Sequence, residues 1–178
     1  QLKMEFDDLG PAAVRQATGS RRVDLVAHSM GGLVARSYIQ SADYQNDVDQ
    51  LIFIATPHQG APESYLTYEG AYMPGFIGGI IKSFFKVEAL SHGYLSLTKY
   101  IQEQVPSVGQ LLPTNNYLQD KVGENWIDRL YPVMYPRNGF LENLNITPAV
   151  NLLKQRARIT NIISDTPNST LNKIKVVP

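Results

Sequence analysis

Residues 23–40 read VDLVAHSMGGLVARSYIQ. Val23, Leu25 and Val26 form a short apolar run ending at Ala27, and this pattern predicts a strand over 22–27. The run is apolar on both sides, as a buried parallel strand is. Leu33, Val34, Ser37 and Tyr38 then recur at helical intervals, with Ala35, Arg36 and Gln40 as good helix formers. A helix over 30–41 is expected. His28-Ser29-Met30 leaves no room for a loop between the two. Ser29 alone carries a reactive oxygen at this junction, and Ala27, Gly31 and Gly32 around it are small.

The neighbouring segments extend this unit. A short helix over 9–17, ended by Gly19, precedes the strand. A polar connection over 43–49 leads to a second buried strand at 51–55, stopped by Thr56-Pro57. Strand, helix, strand in this order closes into a parallel sheet. Residues 60–103, rich in Tyr, Gly and Phe, depart from it. Within them Ile77, Ile80, Ile81, Phe84 and Phe85 fall on one helical face, and Gly78, Gly79, Lys82, Ser83 and Lys86 on the other. Two adjacent glycines cost such a helix about 1 kcal/mol each relative to alanine. Pro106, Pro113, Pro132 and Pro136 break the segment that follows. Thr147-Pro148 reads as an N-cap with Pro in the first turn, opening a helix to about Arg156, and a strand is expected over 159–164.

A serine hydroxyl is a weak nucleophile until it is presented to a base. A tight strand-to-helix turn presents it by lifting one side chain clear of the sheet edge. Crowding there requires small residues two positions before and after, here Ala27 and Gly31. The backbone N–H of Met30 then faces the position of a developing oxyanion, aided by the helix dipole. This is the G-x-S-x-G elbow with Ala in the first position. At these residues the chain resembles the α/β-hydrolase family. The alternative is that Ser29 merely caps the helix. His28 adjoins Ser29 at a sharp turn, where neighbouring side chains diverge, so it reads as a packing or pocket-lining residue.

The stretch VDQLIFIATPHQGAPES, residues 48–64, resembles lipases, lecithin:cholesterol acyltransferases and PGAP1-type GPI inositol-deacylases. PSVGQLLPTNNYL, residues 106–118, resembles the acyltransferase-like group. The resemblance implies an α/β fold with a mainly parallel sheet, flanking helices and a lid or cap insertion at about 61–105, in one domain over 1–178 that is incomplete at both ends. It implies a serine lipase, esterase or lipid acyltransferase working through an acyl-enzyme at Ser29. Thr56, Pro57 and His58 lie at the carboxyl end of a parallel strand, where ligands bind in open α/β sheets; Pro57 also simply stops the strand. The stretch 76–85 reads either as a buried cap helix or as a lid, with Phe76, Ile80 and Phe84 toward the acyl site and a transient contact with a lipid surface.

The family order places an acid and then a His after the nucleophile. Asp165, after the strand at 159–164, is the acid in such a place, but His28, His58 and His92 all precede it. The early strands and the loop giving the second oxyanion donor would precede Gln1. The 178 residues alone are therefore expected to be inactive, as the middle of a longer hydrolase. A GPI-inositol-deacylase-like enzyme and a non-catalytic lipid- or partner-binding module on the same framework are the alternatives.

Composition excludes other classes. The chain holds 16 Lys plus Arg against 16 Asp plus Glu, so no net field draws in nucleic acid. It contains no cysteine, which removes disulfides, thiolate metal sites and a Cys nucleophile. Its carboxylates and imidazoles show no ligand spacing, so neither metal nor cofactor is expected. Asn145-Ile146-Thr147 and Asn168-Ser169-Thr170 fit the glycosylation sequon, in keeping with a secreted or membrane-peripheral protein, although no signal peptide opens the chain.

Overall fold

The computed structural model describes residues 10–163 and 174–176. In chain order the elements are α1 (Pro11–Thr18), β1 (Val23–His28), α2 (Met30–Gln40), β2 (Val48–Ile54), α3 (Glu63–Gly70), α4 (Gly75–Ser91), α5 (Leu97–Gln104), α6 (Pro106–Gly109), β3 (Leu118–Val122), β4 (Asn125–Asp128), α7 (Gly139–Asn145), α8 (Thr147–Arg156), β5 (Arg158–Ile162) and β6 (Ile174–Val176). A 3-10 turn at Tyr131–Val133 joins β4 to α7. The chain divides into two compact units, the first of residues 1–58 and 142–167, the second of 59–141 and 168–178.

The first unit is a parallel sheet in the order β1-β2-β5. Register aligns Leu25 with Leu51 and Ile159, and Ala27 with Phe53 and Asn161. Leu51 and Phe53 are buried with Val48, Ile39 of α2, Leu153 of α8 and Ala157, and Leu25, Ala27 and Tyr38 pack against this cluster. Adjacent residues in register share a face, so Val26, Ile52, Ile54 and Ile162 lie on the other one. Val26 is 66 % exposed and β5 is exposed along its whole length. β1 therefore alternates, with Asp24, Val26 and His28 outward, and is not buried on both sides as its composition suggested. The cause is its place at the end of this sheet, with one face covered among the described residues.

Two helix ends in this unit show why the chain turns where it does. Gly19 ends α1 at φ +69°, a conformation that costs a residue with a Cβ about 1 kcal/mol or more. At the other end of α2, Arg156 Nη1 donates 2.6 Å bonds to the carbonyls of Ile39 and Ser41, placing a cation at the negative end of the helix. α8 begins one residue earlier than expected: Ile146 is the N-cap and Thr147 is already helical.

The second unit holds α3 to α6, the antiparallel hairpin β3–β4 and β6, which pairs parallel with β3. Ala71, Ala89, Tyr100 and Ile101 form one core, and Tyr117, Leu118 and Met134 another. Gly60, at φ +86°, runs so close to Leu112 that a Cβ would lie 2.5 Å from its carbonyl oxygen. The Asn138 amide is buried, donates to the Gln110 and Leu112 carbonyls and accepts from Leu141 N at the start of α7. Among the described residues, no helix is long and apolar enough to cross a membrane.

α4 is longer than its pattern suggested, and its faces are the reverse of a buried helix. Phe85 and Ala89 pack toward Tyr100, and Gly78 lies against Met73. Ile80, Ile81, Phe84, Val87 and Leu90 are exposed, Ile80 by 56 % and Phe84 by 59 %. Gly78 is a close-approach position, since a Cβ there would stand 2.6 Å from the Met73 carbonyl oxygen, whereas Gly79 faces open space.

Candidate active site

β1 and β2 end side by side, and both end on strain. Ser29 adopts φ +52° and ψ −130°, and Ala55, next to it across the pair, has φ +49°. Left-handed φ at non-glycine residues costs on the order of 1–3 kcal/mol each and persists only where the surroundings impose it. Here the ladder imposes it: Ser29 N donates to Ile54 O at 2.9 Å, and Ala55 N to Ile162 O at 3.0 Å. Both strands stay in the sheet to their last residue and then reverse sharply.

The Ser29 hydroxyl makes no capping bond to α2, so the capping alternative has no support in the geometry. The first turn is closed through the backbone, Gly32 N donating to Ser29 O at 3.1 Å. Ser29 is exposed. Met30 opens α2, where a helix has no internal acceptor for its first N–H groups. The crowding predicted at Gly31 falls one residue later. A Cβ at Gly31 would meet nothing within 4 Å, whereas one at Gly32 would lie 2.0 Å from Thr56 Oγ1 and 2.8 Å from Phe53 Cδ1. Gly32 lets α2 settle onto the end of β2, and Thr56 is buried against it with a hydroxyl that finds no partner among the described residues.

The remaining candidates separate. Ser29, Met30, Thr56, Pro57 and His58 share the carboxyl ends of β1 and β2. His28 points with Val26 to the uncovered face of the sheet. Ile80 and Phe84 lie on the exposed face of α4, in the other unit. The side chain of Phe76 and the whole of Asp165 lie outside the described residues. His92 belongs to α4's end, 3.7 Å from Glu88 and stacked on Tyr100.

His58 is half-buried and engaged on every side. Its Nδ1 stands 3.1 Å from Arg36 Nη1, its ring meets Phe53 edge-on, and its side chain bonds Asn161. Burial first, and then the Arg36 charge, push the pKa of His58 down from its ordinary value. Arg36 and Asn145 escaped the sequence reading. Arg36 counted only as a helix former, yet it stands three residues from Leu33 and three from Ile39, on the buried side of α2. A charged residue on an apolar helical face was the available signal.

Among the described residues no group of His, Asp or Glu could hold a metal ion. A small cleft in the second unit is lined by Tyr68, Gln102, Gln110, Arg137 and Asn138, and the Gln102 and Asn138 amides there already donate to backbone carbonyls.

A parallel sheet flanked by helices, with a strained serine at a strand-to-helix turn, is an α/β-hydrolase-type arrangement. Residues 12–70 match the family described as PGAP1-like alpha/beta domain. The GPI inositol-deacylase of Emericella nidulans is 48 % identical over 44 residues, 24 % of this chain and 4 % of that protein. The lecithin-cholesterol acyltransferase-like 4 protein of Arabidopsis thaliana is 32 % identical over 74 residues, 40 % of this chain and 14 % of its own length. The GPI inositol-deacylase of Coccidioides immitis is 35 % identical over 65 residues, 36 % of this chain and 6 % of that protein. The chain thus covers at most 14 % of the length of these relatives. No solved structure matches it. Over the part they cover, the matches support a PGAP1-like and acyltransferase-like α/β-hydrolase group.

Proposed function

We propose that this chain carries the nucleophile turn of a lipid-directed serine hydrolase or acyltransferase, with Ser29 as nucleophile. The observation that carries the reading is the backbone of Ser29, φ +52° and ψ −130°, with its hydroxyl exposed and uncapped between β1 and α2. In this reading Ser29 Oγ attacks the ester carbonyl carbon and gives its proton to a base. The Met30 N–H binds the oxyanion, and the leaving alcohol departs with a proton. Water, or an acceptor alcohol, then releases the acyl group from Ser29. Asp165 remains the candidate acid on sequence grounds. Among the described residues no imidazole is bonded to Ser29.

The names of the relatives support removal or transfer of an acyl group, and two of the three are inositol-deacylases. The exposed apolar arc of α4, with Lys86 beside it, supports a helix that meets a lipid surface. The test is labelling of the natural full-length protein by a fluorophosphonate, with turnover of a short p-nitrophenyl ester. Both should vanish in Ser29→Ala with the fold intact. Equal labelling and turnover in that variant would overturn the assignment.

A further inference from the structure

Arg36 is 3 % exposed, and among the described residues no carboxylate faces it. Buried guanidinium groups are rare without a carboxylate, because desolvation is costly unless each donor is met. Here neutral acceptors meet them. Nη2 donates to the Leu144 carbonyl at 2.6 Å and to Asn145 Oδ1 at 2.9 Å, Nε to Gln40 Oε1 at 3.3 Å, and Nη1 faces His58 Nδ1 at 3.1 Å. Asn145 closes the ring, its Nδ2 donating to the His58 carbonyl at 2.8 Å. The loop after β2 is thus held twice at one residue, by ring and by backbone, from α2 and from the end of α7.

A guanidinium has five donors and no acceptor, so His58 Nδ1 must accept and the ring proton must sit on Nε2. Among the described residues, Arg36 is the charged group facing that ring. The other neighbours are Phe53 of β2, Asn145 of α7 and Asn161 of β5, all neutral. Protonating Nδ1 would remove the acceptor and set two cations 3.1 Å apart.

We infer that Arg36 and Asn145 are positioning residues that clamp the loop from Thr56 to His58 beside the Ser29 turn, and that the clamp holds only while His58 is a neutral acceptor. Its bearing on reactivity rests on the reading of Ser29 as nucleophile; the clamp itself does not. Thr56 is the link, since it sits two residues from His58 and packs on Gly32, three residues from Ser29.

The sign of the pH effect follows from His58. Its folded pKa is depressed, so between the ordinary value of about 6.5 and the lowered one the unfolded chain binds a proton that the folded chain does not. The clamp's contribution is fully present above about 6.5 and is lost as pH falls through that window.

The chain has three histidines, so ¹⁵N-histidine NMR resolves each ring, with His28→Asn and His92→Asn variants to assign them. In the 178-residue protein His58 should show a bare Nδ1 and a protonated Nε2, and should titrate below the ordinary histidine value. In Arg36→Gln its midpoint should rise. A protonated Nδ1, or a midpoint unmoved by Arg36→Gln, overturns the clamp. If Arg36→Gln does not fold, His58→Asn serves, because its amide oxygen replaces Nδ1 without titrating. Its thermal midpoint should then fall less than that of the wild type between pH 7 and pH 5, and parallel falls overturn the clamp. In the full-length protein, labelling of Ser29 in Arg36→Gln should slow roughly ten- to hundred-fold, the loss an ångström-scale misplacement produces. Unchanged labelling overturns the positioning role, whereas labelling that survives Ser29→Ala overturns the nucleophile reading and leaves the ring measurements standing.

Discussion

Ser29 holds a conformation that glycine adopts freely and serine does not, and this separates its chemistry from its contribution to stability. Ser29→Ala keeps the Cβ and therefore the strain. Ser29→Gly removes roughly 1–3 kcal/mol of strain and adds about 0.4–1 kcal/mol of unfolded-state entropy. Ser29→Gly should thus be about 1 kcal/mol more stable than Ser29→Ala in urea, with both inert to the phosphonate probe; equal stability would mean that the turn is not strained. The two glycines after it give a second contrast. Gly32→Ala should cost about 1–3 kcal/mol, because its Cβ would collide with Thr56 and Phe53. Gly31→Ala, in open space in the first turn of α2, should be neutral or up to about 1 kcal/mol stabilising. Loss of stability at Gly31 with none at Gly32 would reverse the packing described above. The serine and the helix start were legible because apolar spacing changes period across Ser29. Which glycine is obligatory was not, since that depends on how closely β2 approaches α2.

At the scale of elements, α4 decides most. A buried helix of this composition would lose several kcal/mol when Ile80 or Phe84 became polar. The exposed arc found here predicts otherwise. Ile80→Ser with Phe84→Ser should leave the thermal midpoint unchanged within error and weaken sedimentation with anionic lipid vesicles. Phe85→Ala, against Ala89 and Tyr100, should cost roughly 2 kcal/mol, about half the loss of a fully buried Phe. A large drop in midpoint for the double serine variant would show that the arc has a protein partner. The sequence showed that the helix is amphipathic, but not which face turns inward. Small residues settled that: Gly78 and Ala89 allow close approach to Met73 and Tyr100, and the larger side chains were left outside. The hairpin β3–β4 was illegible for a different reason. Its turn is only Gly123-Glu124, Gly123 at φ +60°, and its strands are short and polar, so no alternation stands out. The clamp was illegible too, because His58 and Asn145 stand 22 and 109 residues from Arg36 and meet it only once the sheet has formed.

At the scale of the molecule, the chain leaves its first unit after His58 and returns to it at Glu142. The first unit has a core of Ile39, Val48, Leu51 and Phe53, and the second holds two clusters, one around Tyr100 and Ile101 and one around Tyr117 and Leu118. Cooperativity follows dense internal contacts, so two compact units predict two transitions. Calorimetry should therefore resolve two heat-absorption peaks, with a calorimetric enthalpy larger than the van't Hoff value. Two substitutions assign them. Leu51 and Ile101 are both fully buried, and removing either to alanine should cost about 2–5 kcal/mol locally. Leu51→Ala should lower one peak and leave the other in place, and Ile101→Ala should do the reverse. Because the first unit is built from two stretches of chain on either side of residues 59–141, opening that segment lengthens a loop but removes no residue from the β1-β2-β5 sheet. Loop length enters only logarithmically, about 0.6 kcal/mol for each doubling, so the Leu51 transition should survive the loss of the Ile101 core. A single peak that both substitutions lower together would show that the two units unfold as one.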